Sequence, residues 1–359
     1  MSHAAPNPAL AQSAPIADPR TSRHCPACGC PAESAPLAHS HQSALYACAG
    51  CDLHFWHPLK MPDAAWYEAA YQGRDSTVMP LEPGHIFFLG DPQAPKNGRL
   101  LDMGCGTGNF LAAARDAGFD VTGIEPNQNA VRFAQHHYGL RNIFSAVPAD
   151  FQRAHPLERY GTVTFFEVLE HQEDPQAFLD TAKLFLNDGG FIALSVPNRN
   201  RWQIDDDPLD YPPNHLTRWS PAALKTFIES NGFEVLSLRE EPLKAHRAAQ
   251  ILSTGIRTGL LTRVAGERPP ALSDLGELAH GDVQRTVQRI QTDPRHGFAA
   301  RVASWKYHAL LPLAALLLPY LRLRGRTGLY LYCLARRRSS AARTAAHCPT
   351  PAASSERGI

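Results

Sequence analysis

The 359-residue sequence lacks an excess of charge of either sign, since 35 lysines and arginines stand against 34 aspartates and glutamates. A near-neutral chain has no global field that would indicate nucleic acid or an anionic membrane as its partner. The N-terminus also lacks a basic segment followed by an apolar one, so no secretory signal is predicted. With 44% hydrophobic residues, the chain can form one large domain and a smaller one.

Cysteine is scarce outside one short segment. Five of the eight cysteines lie between Cys25 and Cys51, whereas a secreted disulfide framework would distribute its pairs through a small chain. Such clustering indicates a metal site in a reducing compartment, and we expect a cytoplasmic protein. Two Cys-x-x-Cys turns predict a structural zinc ion in a closed tetrahedral shell of thiolates. The predicted ligands are Cys25, Cys28, Cys48 and Cys51, with Cys30, His24, His54 and His57 as weaker substitutes.

The segment around these cysteines is acidic. Residues 24–96 contain three basic and seven acidic side chains, and a net negative module repels phosphate. The charge therefore argues against a zinc ribbon that reads nucleic acid, although its aromatic side chains could stack on bases. We interpret these side chains as the face that packs the module, as a docking or lid element, onto its neighbour: Phe55, Trp56, Trp66, Tyr67 and Tyr71.

Beyond residue 97, short apolar runs alternate with amphipathic helices, which is typical of a parallel α/β sheet. We predict a first strand over Arg99–Met103, a glycine-rich turn, a helix over 109–117 and a second strand over Asp120–Ile124 that ends in Glu125. Glycines at a helix N-terminus let the backbone approach a ligand closely, and an acid after the second strand can accept hydrogen bonds from ribose hydroxyls. A dinucleotide and S-adenosylmethionine (SAM) both fit this geometry.

Two features of the turn favour SAM. Its glycines are Gly104, Gly106 and Gly108 in a G-x-G-x-G pattern, whereas the dinucleotide fingerprint needs its last glycine three residues after the second. In addition, Asp102 would face a cofactor ammonium group favourably and a pyrophosphate unfavourably.

Residues 101–108 (LDMGCGTG) and 123–126 (GIEP) resemble the first two motifs of class I SAM-dependent methyltransferases. Residues 165–171 (FFEVLEH) and 188–192 (DGGFI) resemble the fourth-strand segment and the fifth-strand turn of the branch that contains ubiquinone-pathway and polysaccharide-type enzymes. The resemblance implies a Rossmann-like α/β fold with a seven-stranded methyltransferase sheet. The zinc-ribbon-like module would precede this sheet, and a helical insertion would precede its last strand.

Carried over residue by residue, the resemblance implies that the three glycines surround the amino-acid moiety of SAM. Asp102 would lie near its ammonium group and Glu125 on its ribose, while Asp150 is the candidate for the adenine contact. The sequence departs from the family at Gly161, where Asp is usual. The cofactor-binding residues implied in this way are Asp102, Gly104, Gly106, Gly108, Glu125, Asp150 and Glu167.

On the acceptor side, residues 210–220 (DYPPNHLTRWS) resemble a loop of methyltransferases that act on small molecules and on sugars of surface polysaccharides. His171 and His215 are the predicted catalytic residues, because a hydroxyl acceptor gains from a general base. Arg218 and Trp219 would hold a polar ring or, alternatively, fill a rigid structural turn. The (N/D)-P-P-(Y/F) motif of base amino-methyltransferases is replaced by residues 167–170 (EVLE), which argues against an exocyclic base amine as acceptor.

We therefore expect methyl transfer to a small-molecule or glycan acceptor, with oxygen as the favoured atom. Two alternatives come from other functional classes: an RNA methyltransferase guided by the zinc module, and a non-catalytic scaffold with a SAM fold. A dehydrogenase is a more remote third alternative.

The region before the last predicted strand exceeds what the minimal fold needs. Residues 242–326 carry thirteen basic and five acidic side chains and include the apolar run Ala309–Leu321. That run is too short to span a bilayer unaided, so a helix buried on the sheet is favoured over an interfacial membrane contact through 298–326, and a true span is the least favoured. A membrane contact would imply a lipid-linked acceptor. The predicted organisation is a tail over 1–23, a zinc module over 24–60, a linker or lid over 61–96, a SAM-binding core over 97–241, the insertion over 242–326, the last strand over 327–337 and a tail over 338–359.

Overall fold

The computed structural model describes residues 23–33, 35–40, 43–62, 76–202, 210–252 and 294–338, with side chains of the last range described from Ala309 onward. Several sequence predictions lie outside these residues. They are residues 1–22 and 339–359 of the two tails, the aromatic residues Trp66, Tyr67 and Tyr71, and residues 253–293 of the insertion.

A seven-stranded sheet forms the centre of the main domain. The strands are β4 (Gly98–Met103), β5 (Phe119–Ile124), β6 (Ile143–Phe144), β7 (Tyr160–Phe166), β8 (Leu186–Pro197), β10 (Phe233–Pro242) and β11 (Thr327–Arg337). Their spatial order is β10-β11-β8-β7-β4-β5-β6. Strands β4 to β8 run parallel, and β11 runs antiparallel to both β8 and β10. The predicted α/β class and seven-stranded sheet are therefore confirmed.

Helices connect the strands and cover the sheet. They are α1 (Pro83–Gly90), α2 (Asn109–Asp116), α3 (Gln128–Tyr138), α4 (Pro148–Ala154), α5 (Pro175–Phe185), α6 (Pro221–Ser230) and α7 (Pro294–Leu323), with a 3-10 turn over Leu169–His171. Local sequence explains where several begin: Asn127, Asp174 and Ser220 accept hydrogen bonds from backbone N–H groups in the first turns of α3, α5 and α6, which satisfies donors that a helix start leaves without a partner.

A second, four-stranded sheet lies at the N-terminal module, in the order β1-β2-β3-β9. Three strands come from the module itself: β1 (Ala38–Ser40), β2 (Ser43–Ala47) and β3 (His54–His57). The fourth, β9 (Thr217–Arg218), belongs to the predicted acceptor loop. Tyr46 and Phe55 of the module share one buried apolar cluster with Trp219 and Phe227 of the main domain, so the two parts have a common core.

The apolar part of α7 is only partly covered. Ala314 is buried, and Leu310 and Leu318 pack with it against a small cluster that includes Leu243 and Ala248. The opposite side exposes large apolar side chains, namely Leu313, Leu316, Tyr320 and Leu323. Leu243 and Ala248 follow β10 and lie outside its strand, so the favoured expectation of a helix buried on the sheet is not confirmed. Among the described helices, none has the length and apolarity required to cross a membrane.

Candidate functional site

The glycine-rich turn between β4 and α2 lies at the carboxyl edge of the parallel strands, where α/β sheets bind their ligands. Gly104, Gly106 and Gly108 all have positive φ, at 87°, 51° and 80°. A Cβ on Gly104 would come within 2.7 Å of Val168 Cγ2, whereas a Cβ on Gly106 would meet nothing within 4 Å. The backbone at Gly106 therefore faces open space, as required where a ligand approaches the main chain.

Glu125 follows β5 and is held by backbone donors. Its Oε2 accepts from Gly106 N at 3.1 Å and its Oε1 accepts from Asn127 N at 2.8 Å. Burial raises the pKa of this carboxyl, while these two hydrogen bonds oppose the rise. Glu125, which is predicted to bind the ribose, is thereby held in one orientation against the glycine-rich turn.

Asp102, at the end of β4, is almost fully buried. Thr164 Oγ1 donates to its Oδ1 at 2.7 Å. Burial raises the pKa of Asp102 to about 7, and the nearby Glu125 charge adds to the rise while the Thr164 hydrogen bond opposes it. A carboxyl in this state is readily converted to a carboxylate by an approaching cation.

The two other predicted cofactor contacts lie in different surroundings. Asp150 is exposed in the first turn of α4 and forms an ion pair with Arg153 of the same helix. Glu167 directly follows β7 with a φ of 54°, and Ser195 Oγ donates to its Oε1 at 2.7 Å. Burial raises the pKa of Glu167 to about 8, with the Glu82 charge as the next cause, so Glu167 holds a proton near neutral pH.

The structure brings the two predicted catalytic histidines together. The rings of His171 and His215 lie 4.9 Å apart, centroid to centroid. His171 Nδ1 lies 2.6 Å from the carbonyl oxygen of Asn214, and His215 Nδ1 lies 3.1 Å from Asp210 Oδ1. A nitrogen that faces an oxygen acceptor carries the proton, so in each neutral ring Nε2 is the basic atom. Burial, and then the His215 charge, lowers the pKa of His171 to about 3.

Glu170 lies near the Nε2 atoms of both rings. Its Oε1 is 3.8 Å from His171 Nε2 and 4.0 Å from His215 Nε2, and neither carboxylate oxygen has a hydrogen-bond partner among the described residues. Burial, together with the Glu167 charge, raises the pKa of Glu170 well above its usual range. A carboxylate oxygen of Glu170 and ring nitrogens of His171 and His215 all lie within 4.8 Å of one another. This spacing is short enough for proton exchange or for holding a cation.

Sequence reasoning missed several residues that surround His215 and Glu167. Asp210 contacts His215 and forms an ion pair with Arg201, while the charges of Glu82 and Glu241 act on Glu167. Asp210 lies within the loop already singled out, and its spacing from His215 could have suggested the pair. The others come from distant parts of the chain, and no local pattern connects them.

Arg218 and Trp219 take different positions. The Arg218 guanidinium lies 5.0 Å from the Tyr211 ring centroid and 5.5 Å from that of Trp56, at the contact between the module and the loop. Trp219 is fully buried, and its Nε1 donates to Thr217 Oγ1 at 2.9 Å. Trp219 thus belongs to the core, in line with the structural alternative for this residue.

The four predicted zinc ligands form one cluster. Cys25 Sγ lies 3.5 Å from Cys51 Sγ, and Cys28 Sγ lies 3.4 Å from Cys48 Sγ, with all four sulfurs within 4.8 Å of one another. Tetrahedral zinc with Zn–S bonds of about 2.3 Å separates its sulfurs by about 3.8 Å. The residues therefore fit a zinc ion, and Cys28, not Cys30, occupies the fourth corner.

Comparisons with known proteins agree with this geometry. Residues 81–238 match the family model described as "Methyltransferase domain". The ubiquinone biosynthesis O-methyltransferase of Bordetella avium (strain 197N) is 34% identical over 105 residues, which are 28% of this chain and 44% of the relative. That of Thiobacillus denitrificans (strain ATCC 25259 / T1) is 35% identical over 115 residues, 31% of this chain and 49% of the relative. The chain thus spans about half the length of these curated relatives.

A solved SAM-dependent methyltransferase from Mesorhizobium loti is also similar, with a TM-score of 0.38 and 15% identity over 68% of this chain and 93% of that one. This similarity is too distant to support a functional argument. The family match falls on the part of the chain that forms the glycine-rich turn and strands β4 to β8. Residues 81–238 are therefore similar to the methyltransferase-domain family.

Proposed function

We propose that the protein transfers the methyl group of SAM to a hydroxyl oxygen of a small molecule or a glycan. The observation that carries this proposal is the contact between two halves of one crevice. Gly104 of the glycine-rich turn approaches Val168 so closely that a Cβ would overlap it, and Val168 lies between Glu167 and the 3-10 turn that carries His171. A cofactor on the glycine-rich turn would thus lie beside the histidines.

The cofactor half would hold SAM through the residues at the ends of β4 and β5. The Asp102 carboxyl suits the ammonium group of the methionine moiety, and Glu125 suits the ribose hydroxyls. Bound SAM supplies an electrophilic methyl group on a sulfonium. The remaining assignments, Gly104, Gly106 and Gly108 around the methionine moiety, Asp150 at the adenine and Glu167 at the junction with the acceptor, complete this half.

His215 is the proposed general base. Asp210 Oδ1 accepts a hydrogen bond from His215 Nδ1, which leaves the lone pair of Nε2 available as the base. The acceptor hydroxyl gives its proton to Nε2 while its oxygen forms the bond to the methyl carbon, and the sulfur keeps the electron pair of the broken bond. Alignment of the three atoms in a water-poor site supplies most of the rate. His171, whose pKa is about 3, would orient the acceptor and stay neutral.

Buried acids favour an oxygen-rich acceptor. Because the pKa of Glu167 is raised to about 8, this carboxyl group is protonated near neutral pH and can donate a hydrogen bond to an acceptor oxygen. Burial also raises the pKa of Glu170, which favours the form of that group that donates. The names of the relatives, which are O-methyltransferases, support the same acceptor atom. A phenol or a sugar would satisfy these donors.

The Cys25, Cys28, Cys48 and Cys51 cluster is proposed to hold one structural zinc ion. Four thiolates fill the coordination shell, so the ion would stabilise the module without taking part in the transfer. We assign residues 24–60 to this module, 61–96 to a linker or lid, 97–241 and 327–337 to the transfer domain and 242–326 to the insertion. Elemental analysis that finds less than about half an equivalent of zinc after metal-replete expression would reject the site.

A peripheral membrane contact is a secondary proposal for α7, in an otherwise cytoplasmic protein. Its exposed Leu313, Leu316, Tyr320 and Leu323 lie beside exposed arginines, a combination suited to an anionic lipid surface, and such a contact would favour a lipid-linked acceptor. Wild-type protein should co-sediment with anionic vesicles at low salt, and a folded Leu316→Asp, Leu323→Asp variant should not. Absence of wild-type protein from the pellet would reject the contact.

The central test uses purified protein, methyl-labelled SAM and a cell extract separated into nucleic acid, lipid and small-molecule fractions. The proposal expects label in the lipid or small-molecule fraction, in an ether that resists mild base, and none with the Gly106→Val variant. Label in RNA would support the zinc-guided alternative, and SAM binding without any product would support the scaffold. A requirement for an added divalent ion would replace the base mechanism with cation-assisted activation at Glu170, His171 and His215.

A further inference from the structure

The zinc module and the acceptor loop share one sheet. In this sheet β3 pairs with β9, with His54 opposite Arg218 and Phe55 opposite Thr217, and Trp56 N donates to Leu216 O at 2.9 Å. A two-residue strand has too few hydrogen bonds to persist alone. β3 therefore supplies part of the support of β9 and of His215, which directly precedes Leu216; the main domain supplies another part, since Leu216 N donates to Glu170 O at 2.8 Å.

A single carboxylate reinforces this pairing. Asp52 lies between the predicted zinc ligand Cys51 and β3, with a φ of 64°. Its Oδ2 accepts from Arg199 Nη2 at 2.7 Å and from Ser220 Oγ at 2.6 Å, and Arg199 Nη1 donates to its carbonyl oxygen. Ser220 Oγ in turn accepts from Ala223 N at the start of α6. Asp52 thus fastens the cysteine turn to both ends of the loop that returns from β8.

The contacts continue from the module to the proposed base. Trp56 of β3 lies 5.3 Å from the Tyr211 ring, centroid to centroid, and Arg218 lies over both rings. Arg218 Nη2 donates to Asp210 O at 3.3 Å, and Asp210 orients His215. Every step from the cysteine turn to the His215 ring is therefore a packed or hydrogen-bonded contact.

The cofactor half is held by other elements. Glu125 and Asp102 receive their hydrogen bonds from Gly106, Asn127 and Thr164, and their strands β4 and β5 pair within the seven-stranded sheet. Loosening of the module would therefore act on the acceptor loop first.

We propose that the cysteine turn with β3, residues 48–57, positions the acceptor loop, residues 210–220, with Asp52 as the positioning residue. Loss of the metal or of the Asp52 contacts would disengage His215 while the glycine-rich turn keeps its affinity for SAM. The inference rests on the zinc site and the methyl transfer proposed above. It gives the module a task in acceptor turnover in addition to stabilisation.

The test compares variants of the full-length, zinc-loaded protein. Asp52→Gly removes the side chain without backbone strain, because glycine adopts positive φ freely, and Arg199→Ala removes the same contact while leaving the cysteine turn unchanged. Asp52→Asn keeps an oxygen for Ser220 and tolerates the left-handed conformation, so it should restore part of the function. Glu33→Ala, which removes an exposed carboxylate of the same module, is the matched control.

Three quantities are measured: hydrogen exchange of peptides that cover 211–220 and 98–125, zinc content, and SAM affinity by calorimetry. For Asp52→Gly and Arg199→Ala we expect exchange in 211–220 to rise about tenfold, as expected for the loss of a charged hydrogen bond. Exchange in 98–125 and SAM affinity should stay within about twofold of wild type. With an assayed acceptor, kcat/KM should fall about tenfold in the same variants and less in Asp52→Asn.

Removal of zinc from the wild-type protein by a chelator should raise exchange in 211–220 in the same way. Unchanged exchange in 211–220, in the two truncation variants or after zinc removal, would overturn the inference. A parallel rise in 98–125 would overturn it as well, because the effect would then be general destabilisation. Since exchange is read without turnover, a protein that binds no SAM or transfers no methyl group would reject the proposed function and leave this test intact.

Discussion

The two halves of the crevice are built differently. The centre of the proposed cofactor half, namely the glycine-rich turn with Asp102 and Glu125, comes from one continuous stretch, residues 98–127. Backbone groups hold Glu125, which accepts from Gly106 N and Asn127 N, and Thr164 Oγ1 donates to Asp102. The acceptor half is assembled from side chains far apart in the chain, among them Glu82, Glu170, Arg201 and His215. A site formed by backbone groups can bind the same cofactor in proteins of different sequence. In a site formed by side chains, single substitutions can change which acceptor is bound.

This difference predicts that substitutions in the cofactor half lower SAM affinity, whereas substitutions in the acceptor half lower turnover and leave SAM affinity unchanged. The largest expected effect on SAM binding is that of Gly106→Val. The side chain would fill the open space at Gly106 and strain a backbone whose φ is 51°, so SAM binding should fall by more than about a hundredfold. Calorimetry measures it. Gly139→Val, at a φ of 64° in open space at the end of α3, carries similar strain and should keep SAM affinity. Equal losses in both variants would contradict the assignment.

On the acceptor half, His215→Asn should lower kcat by about a hundredfold to a thousandfold, because the general base is lost. SAM affinity should not change, since the cofactor contacts lie on other strands. Single-turnover kinetics with labelled SAM separates the chemical step from binding. Asp210→Asn, which keeps the base and weakens its orientation, should have the smaller effect of about tenfold. A variant without His215 that keeps wild-type kcat would show that the base lies elsewhere.

Glu125→Ala should weaken SAM binding by about 1.5–3 kcal/mol, the value typical of hydrogen bonds to a charged acceptor. The loss also leaves Gly106 N and Asn127 N without their acceptor. The SAM affinity of Glu125→Gln, which keeps one acceptor oxygen, should lie between the affinities of wild type and Glu125→Ala. Equal SAM affinity for Glu125→Ala and wild type in calorimetry would remove Glu125 from the ribose site.

The smallest effect is a pH dependence of SAM affinity. The pKa of Asp102 is about 7 because the group is buried near Glu125, so the carboxyl is largely protonated below that pH and charged above it. Only the charged form attracts the ammonium group of SAM, and affinity should therefore rise as pH increases from about 6 to about 8, by up to about tenfold per unit. Calorimetry on Asp102→Asn should give a flat profile. A slope unchanged in that variant would assign the titration to another group, such as Glu125.

The sequence predicted one half of the crevice better than the other for the same physical reason. The glycine-rich turn, Asp102 and Glu125 follow consecutive strands, and strand ends of a parallel sheet meet at one edge, so local spacing was sufficient. His171 and His215 were found through their motifs, but the ring-to-ring contact and Glu170 between them depend on tertiary packing. The pairing of β9 with β3 was not predicted, because two residues carry no alternating pattern. The exposed position of Asp150 also has no counterpart in its local sequence.

The insertion leaves and re-enters the sheet at one point. Pro242 and Thr327 are opposite each other in the β10–β11 ladder, so the chain returns to within a few ångströms of its departure after more than eighty residues. Such a segment is an insertion in the connection of a β-hairpin. Replacing it with a short turn would keep the register of β10 and β11. Another segment whose two ends lie equally close together could also take its place. Chimaeras exchanged at this junction would test whether residues 243–326 can be replaced while β10 and β11 keep their register.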